Sequence, residues 1–177
     1  MKKISMVLVV LVVLYLTIGY FTLLVQSTNV DAKTGVVWVQ IQRADELLSR
    51  LETQVSFYAK DRQDLIQKIA DARANLAATS KTNSNLETAE KSITTTLQAF
   101  MEAYPNLNLE GVQIGLLDET SGSMNRISYA RQELIEAETS YNNTRNFFYI
   151  LGLVFPRMEI LGENTNPAAT LAPSTLG

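Results

Sequence analysis

At 177 residues with a net charge of −3, the chain has room for one domain beyond a membrane anchor and no basic surface to neutralise phosphates, so nucleic acid is excluded as a partner. Cysteine and histidine are both absent, which excludes disulfides, thiolate nucleophiles, imidazole bases and the usual zinc or di-iron ligand sets; no cofactor is expected. Charge is 19% of the chain and avoids both ends: beyond Lys2 and Lys3 the first thirty residues carry none, and the closing segment is nearly uncharged.

After a short flank over 1–3, Ile4 to Val25 runs for twenty-two residues without a charge. A helix needs roughly twenty to cross the hydrocarbon core, so the run predicts a transmembrane helix over 4–25. Tyr20 and Phe21 lie toward its distal end, where amphipathic rings suit the interface, and Gly19 is tolerated in such a helix. The competing reading is a cleaved signal peptide, because Val25-Gln26-Ser27 is a passable cleavage pattern. Signal cores usually run about 7–15 residues, and the length here favours the anchor. Lys2, Lys3 and the amino terminus precede the span while Asp31 and Lys33 cancel after it, which predicts a cytoplasmic amino terminus and an extracytoplasmic body.

The body shows helical periodicity throughout. Val37, Ile41, Ala44, Leu48, Leu51, Val55, Tyr58, Arg62, Leu65, Ile69, Ala72 and Leu76 follow one another in alternating steps of four and three, a heptad seam that predicts one helix over 36–78. Whether that seam is filled within or between chains is open at this point. A polar stretch from Ser80 to Asn85 suits a turn, and Leu86, Ala89, Ile93, Leu97, Phe100 and Tyr104 then predict a helix over 85–104, ended by Pro105. Leu109, Val112, Leu116 and Leu117 suggest a short helix over 108–119, with a break at Thr120-Ser121-Gly122-Ser123. Met124, Ile127, Ala130, Leu134, Ala137, Tyr141, Thr144, Phe148, Leu151 and Phe155 predict a last helix over 123–155, stopped by Pro156. Residues 162–177 are rich in Asn, Thr, Ala and Pro and are expected to form a disordered tail.

Two stretches resemble the LemA family of bacterial membrane-anchored helical proteins. Val39-Gln40-Ile41-Gln42-Arg43, Leu47-Leu48, Leu51, Thr53, Val55, Tyr58-Ala59 and Ala72-Arg73-Ala74 are similar to one run of its landmarks. Ala103-Tyr104-Pro105-Asn106-Leu107, then Asn125-Arg126-Ile127-Ser128-Tyr129-Ala130-Arg131, Tyr141-Asn142 and Phe155-Pro156 resemble the other. The sequence departs from the family at Ser49-Arg50 and Ser123-Met124, as a divergent member would. The resemblance covers about residues 18–157 and implies a bacterial membrane location. It implies an all-α fold, one N-terminal transmembrane helix followed by an antiparallel bundle of long helices over 30–157, and the heptad spacing makes that bundle left-handed and coiled-coil-like. It lends an architecture more than an activity.

Three groups of residues are candidates for more than packing. Arg62 lies in the seam and Arg131 beside another apolar stripe, and a buried guanidinium needs a carboxylate. Asp45, Asp61, Asp64, Glu133, Glu136 and Glu138 are the expected partners for intra-bundle ion pairs. Glu133, Glu136 and Glu138 with Asp118-Glu119 could attract a hard divalent cation, but without histidine or an acidic loop they read as a solvated face, and no metal site is assigned. The uncharged run Phe147-Phe148-Tyr149-Ile150-Leu151-Gly152-Leu153-Val154-Phe155 is too short to span a bilayer and apolar on every helical face. Phe147, Phe148, Tyr149, Ile150, Leu151, Val154 and Phe155 are therefore assigned as an oligomer or membrane contact. Asn142-Asn143-Thr144 matches a glycosylation acceptor but falls mid-helix and is discounted.

The expected function is a non-enzymatic, membrane-anchored helical scaffold that contacts the lipid bilayer and self-associates as a homo-oligomer. The alternative is a ligand-sensing bundle that signals through a partner protein; an enzyme working with carboxylates alone ranks last.

Overall fold

The computed structural model describes residues 2–58, 63–78, 83–103 and 115–162. It is all-α: α1 (Lys2–Tyr58), α2 (Gln63–Ala78), α3 (Asn83–Ala103) and α4 (Gly115–Phe147), followed by a 3-10 helix over Tyr149–Leu153. Two compact units are formed, Met1–Lys33 with Glu133–Gly177, and Thr34–Gln132; α1 and α4 contribute to both.

In the unit Thr34–Gln132, four helical stretches share one core. Val37, Ile41, Ala44, Leu48, Leu51 and Val55 from α1 are fully buried, as are Ile69 from α2, Leu86, Ile93, Leu97 and Phe100 from α3, and Ile127 from α4. The heptad spacing thus identified the correct face of each helix, and the seam is filled from within the chain. Trp38, Leu47 and Thr96 are also buried and widen the stripe beyond the strict three-and-four positions.

The single helix expected over 36–78 is two, α1 ending at Tyr58 and α2 beginning at Gln63. Arg73 demonstrates the reversal: its Nη1 lies 2.8 Å from Glu52 Oε2, whereas twenty-one residues of unbroken helix would hold the two about 30 Å apart. The seam position Arg62 lies outside the described residues, as does Pro105. Ion pairs join neighbouring helices around the bundle: Arg73 to Asp45 and Glu52, Arg131 to Glu90, and Arg50 to Glu119.

The break expected at Thr120–Ser123 is absent: α4 runs from Gly115 through it without interruption, and residues 108–114 of the helix expected over 108–119 lie outside the described residues. Thr120 and Ser123 are buried on its core face, and the Thr120 hydroxyl donates to Leu116 O at 2.7 Å. Small hydroxyl residues satisfied by their own helix pass through a core without ending it. At the other end, α4 stops at Phe147, eight residues before the expected end.

In the unit Met1–Lys33 with Glu133–Gly177, α1 is the one helix among the described residues long and apolar enough to cross a membrane. Its apolar side chains from Ile4 to Leu14 are 46–73% exposed. The hydroxyls of Thr17 and Thr22 donate to the carbonyls of Val13 and Ile18 at 2.8 Å, so these two polar groups of the apolar run are satisfied by its own backbone, and Thr28 just beyond it donates to Leu24 O at 3.0 Å. Upstream of Val37 the buried stripe continues in heptad steps to Val30 and Leu23. On the same stretch of α1, Gly19 meets Phe148 and Leu151, and Lys33 pairs with Glu133.

Candidate functional site

The apolar run after α4 is built by a change of helix type. Phe148 N–H still donates to Thr144 O at 3.0 Å, but Phe148 then adopts φ −94° and ψ 59°, and the chain tightens into the 3-10 helix. The Phe148 carbonyl accepts from Leu151 N–H at 2.9 Å, and the Leu151 carbonyl accepts from Val154 and Phe155 N–H at 2.9 Å each. Carbonyls left over by this geometry are taken by side chains. Tyr15 Oη donates to Phe147 O at 3.1 Å, Arg145 Nε to Phe155 O at 2.7 Å and Arg145 Nη2 to Gly152 O at 2.9 Å. The flat guanidinium fork serves two carbonyls at once. Gly152 permits its approach, since a Cβ there would stand 3.3 Å from Arg145 Cζ.

This arrangement sorts the seven assigned residues into two sets. Phe148 is buried, and Leu151 and Phe155 are half-buried, facing α1. The Phe148 ring centroid lies 5.0 Å from that of Tyr15, the Phe155 centroid 5.5 Å from that of Tyr20, and Phe148 rests on Gly19. Phe147, Tyr149, Ile150 and Val154 point outward, 58–83% exposed, and so does Leu153 at 89%, which the sequence assignment omitted. Tyr15, Gly19 and Tyr20 were not recognised as their partners. Gly19 stands four residues before Leu23, at stripe spacing, and that spacing was the available signal.

Beyond the 3-10 helix the chain returns along α4 as a strap. Tyr141 Oη donates to Pro156 O at 3.0 Å, the Asn142 amide both donates to Met158 O at 2.9 Å and accepts from Met158 N–H at 3.1 Å, and Glu138 Oε2 accepts from Leu161 N–H at 2.8 Å. Gly162 then takes a φ of 88°, a left-handed conformation that glycine adopts without strain. Glu138 is buried, and burial pushes its carboxyl above the ordinary glutamate range, with the Leu161 N–H offsetting part of the rise.

A family model, LemA family, matches residues 33–151. The chain belongs to the LemA family. The match begins after the apolar run and ends inside the 3-10 helix, so it reaches Leu151 of the sorted aromatic segment and stops before Leu153, Val154, Phe155 and the strap. Comparison with curated proteins found no match.

Within the LemA landmarks Asn125–Arg131, Ile127 and Ala130 enter the core, while Asn125, Arg126, Ser128 and Tyr129 are exposed. Arg131 Nη1 lies 3.5 Å from Glu90 Oε1 on α3, a partner other than the three glutamates expected. Burial raises the Glu90 pKa, Arg131 lowers it and Glu87 raises it further. Among the described residues no group of three carboxylates is placed to hold a metal ion. Glu133 pairs instead with Lys33 at 3.1 Å.

Proposed function

We propose that this LemA-family chain is a non-enzymatic scaffold, anchored in a bacterial cell membrane by α1, with a cytoplasmic amino terminus and an extracytoplasmic body that self-associates at the membrane surface. The observation that carries the scaffold reading is how the polar groups are employed. The buried or half-buried Glu90, Arg131, Glu138, Asn142 and Arg145 each hold one structural element to another, through contacts of 2.7–3.5 Å. Chemistry-bearing side chains are thus used to build the molecule.

Packing supports an anchor over a signal sequence. Gly19 and Leu23 are buried beneath later elements, and removing them would expose Phe148 and Leu151 to water, at about 1.5–3 kcal/mol for each such side chain fully uncovered. The described seam positions from Val37 to Val55 are buried within the chain, which supports looking for the self-association surface elsewhere. A better surface is the exposed face of α4, where Tyr129 is 65% exposed and Asn125 and Arg126 stand one turn away. Aromatic and arginine side chains are enriched where protein surfaces meet, and a shared anchor raises the effective concentration of that face.

Because the chain has no cysteine, Tyr129→Cys is a clean probe. The full chain carrying it should form disulfide-linked dimers in membranes, and the detergent-extracted parent should migrate as a discrete particle of several copies. A monomeric particle with no crosslink would refute self-association. The second reading, ligand sensing, is favoured by a groove of about 670 Å³ between α2 and α3 lined by Lys68, Asn75, Lys91 and Thr95. A monomer whose melting temperature rises on addition of one metabolite class would support it.

A further inference from the structure

We propose that the segment Phe147–Phe155 is a second membrane contact, a short wedge immersed among the acyl chains of the leaflet distal to the amino terminus. The proposal rests on the anchor reading of α1.

Depth is the first argument. Tyr15 stands eleven residues after Ile4 and ten before Val25, which at 1.5 Å per residue places it about 15 Å from either end of the apolar run. The hydrocarbon core is about 30 Å thick, so Tyr15 lies near its middle and Tyr20 lies between the middle and the distal face. Phe148 and Phe155 touch these two rings. Whatever surrounds α1 at that depth also surrounds the outward side chains Phe147, Tyr149, Ile150, Leu153 and Val154.

Backbone bookkeeping is the second. In water, carbonyls freed by a helix end need no protein partner, whereas in hydrocarbon each unsatisfied group costs several kcal/mol. Here the carbonyls of Phe147, Gly152 and Phe155 are taken by Tyr15 and Arg145. The segment carries no charge between Arg145 and Arg157, and Arg145 turns its guanidinium onto the segment's own carbonyls. An apolar exterior, three carbonyls capped by side chains and attachment to the middle of the apolar run together point to lipid as the occupant. Span and wedge give two points of attachment and fix how this unit meets the bilayer.

The test is depth-dependent fluorescence quenching. Trp38 is the only tryptophan, so Trp38→Phe provides a dark background. Into it Leu153→Trp is introduced in the full chain, reconstituted in phosphatidylcholine vesicles with or without acyl-chain bromines; Leu11→Trp serves as a control on the exposed part of the span, and Tyr149→Trp as a second, milder probe. Emission from Leu153→Trp and Tyr149→Trp should fall at least twofold in brominated vesicles, as for Leu11→Trp. Quenching of Leu11→Trp alone would overturn the wedge and leave the anchor standing. That result together with disulfide crosslinking of Ile150→Cys chains would assign the patch to a second copy. Quenching at none of the three positions would overturn the anchor itself.

Discussion

Gly19 lies directly under Phe148: a methyl group on residue 19 would come within 2.5 Å of Phe148 Cδ1 and 2.7 Å of Leu151 Cδ1. The contact depends on the absence of a side chain, because an aromatic ring edge cannot yield as a flexible chain end can. Gly19→Leu should therefore lift the 3-10 helix from α1 while leaving α1 helical. Overpacking of this kind typically costs about 1–3 kcal/mol. Faster amide exchange over Tyr149–Phe155, with unchanged exchange over α2 and α3, is the expected pattern; protection equal to the parent would show that the ring moves aside freely.

Asn142 holds Met158 by two hydrogen bonds, as donor at 2.9 Å and acceptor at 3.1 Å. Asn142→Asp keeps the acceptor, loses the donor and sets a carboxylate against the Met158 carbonyl. Each half-broken pair leaves a polar group without its partner, at about 1–3 kcal/mol. Limited proteolysis at Arg157 should accelerate about tenfold or more in Asn142→Asp. An unchanged cleavage rate would mean that Tyr141 and Glu138 suffice to hold the strap.

Glu138 makes the same strap pH-sensitive. Its folded-state pKa is raised, mainly by burial, so between the ordinary glutamate value and the raised one the folded chain binds more protons than the unfolded chain. The stability this group contributes is fully present below the ordinary range and is lost as pH rises through the raised value. Glu138→Gln retains an acceptor for Leu161 N–H and removes the charge, so at neutral pH it should melt at or above the parent. Thermal melts from mildly acidic to neutral pH should show a shallower decline for Glu138→Gln. Some decline should remain, since the Glu90 pKa is raised too. Identical slopes for parent and variant would remove Glu138 from the account.

Glu90 and Arg131 should be strongly non-additive. The Glu90 side chain is 10% exposed and that of Arg131 37%, so removing the arginine alone leaves a mostly buried carboxylate without its partner. Arg131→Leu should cost about 1–3 kcal/mol, reduced from the fully buried case because solvent reaches the guanidinium. Adding Glu90→Leu should restore most of it, measured by chemical denaturation as a coupling energy of at least about 1 kcal/mol. Simple additivity would show that the pair contributes nothing jointly.

How far these features could be read without coordinates varied with their physical origin. The buried faces of all four helices followed from spacing, because burial repeats with the helical turn and Val37 to Val55, Leu86 to Phe100 and Ile127 to Tyr141 carry that repeat. The chain reversal between Tyr58 and Gln63 did not follow. Val55, Tyr58, Arg62 and Leu65 keep the three-and-four rhythm across it, and periodicity reports which side chains face a core, not which way the chain runs. The unbroken passage of α4 through Thr120–Ser123 was missed because hydroxyl and glycine residues weaken a helix locally, whereas their burial against a core overrides that weakness.

The strap and the ion pairs were the least legible. Glu138, Asn142 and Arg145 look like a solvated face in one dimension, and residues 156–161 have no periodic pattern to mark them as packed. Arg131 finds Glu90 across forty-one residues of chain, a pairing that only the bundle can make. The sequence by itself determined an apolar run long enough to cross a membrane, the helical class, the core face of each helix and the apolar character of Phe147–Phe155, since all of these are properties of composition and local spacing. Only the tertiary structure decided that this apolar segment lies against the middle of that run, because its placement depends on how many times the chain reverses before α4 returns.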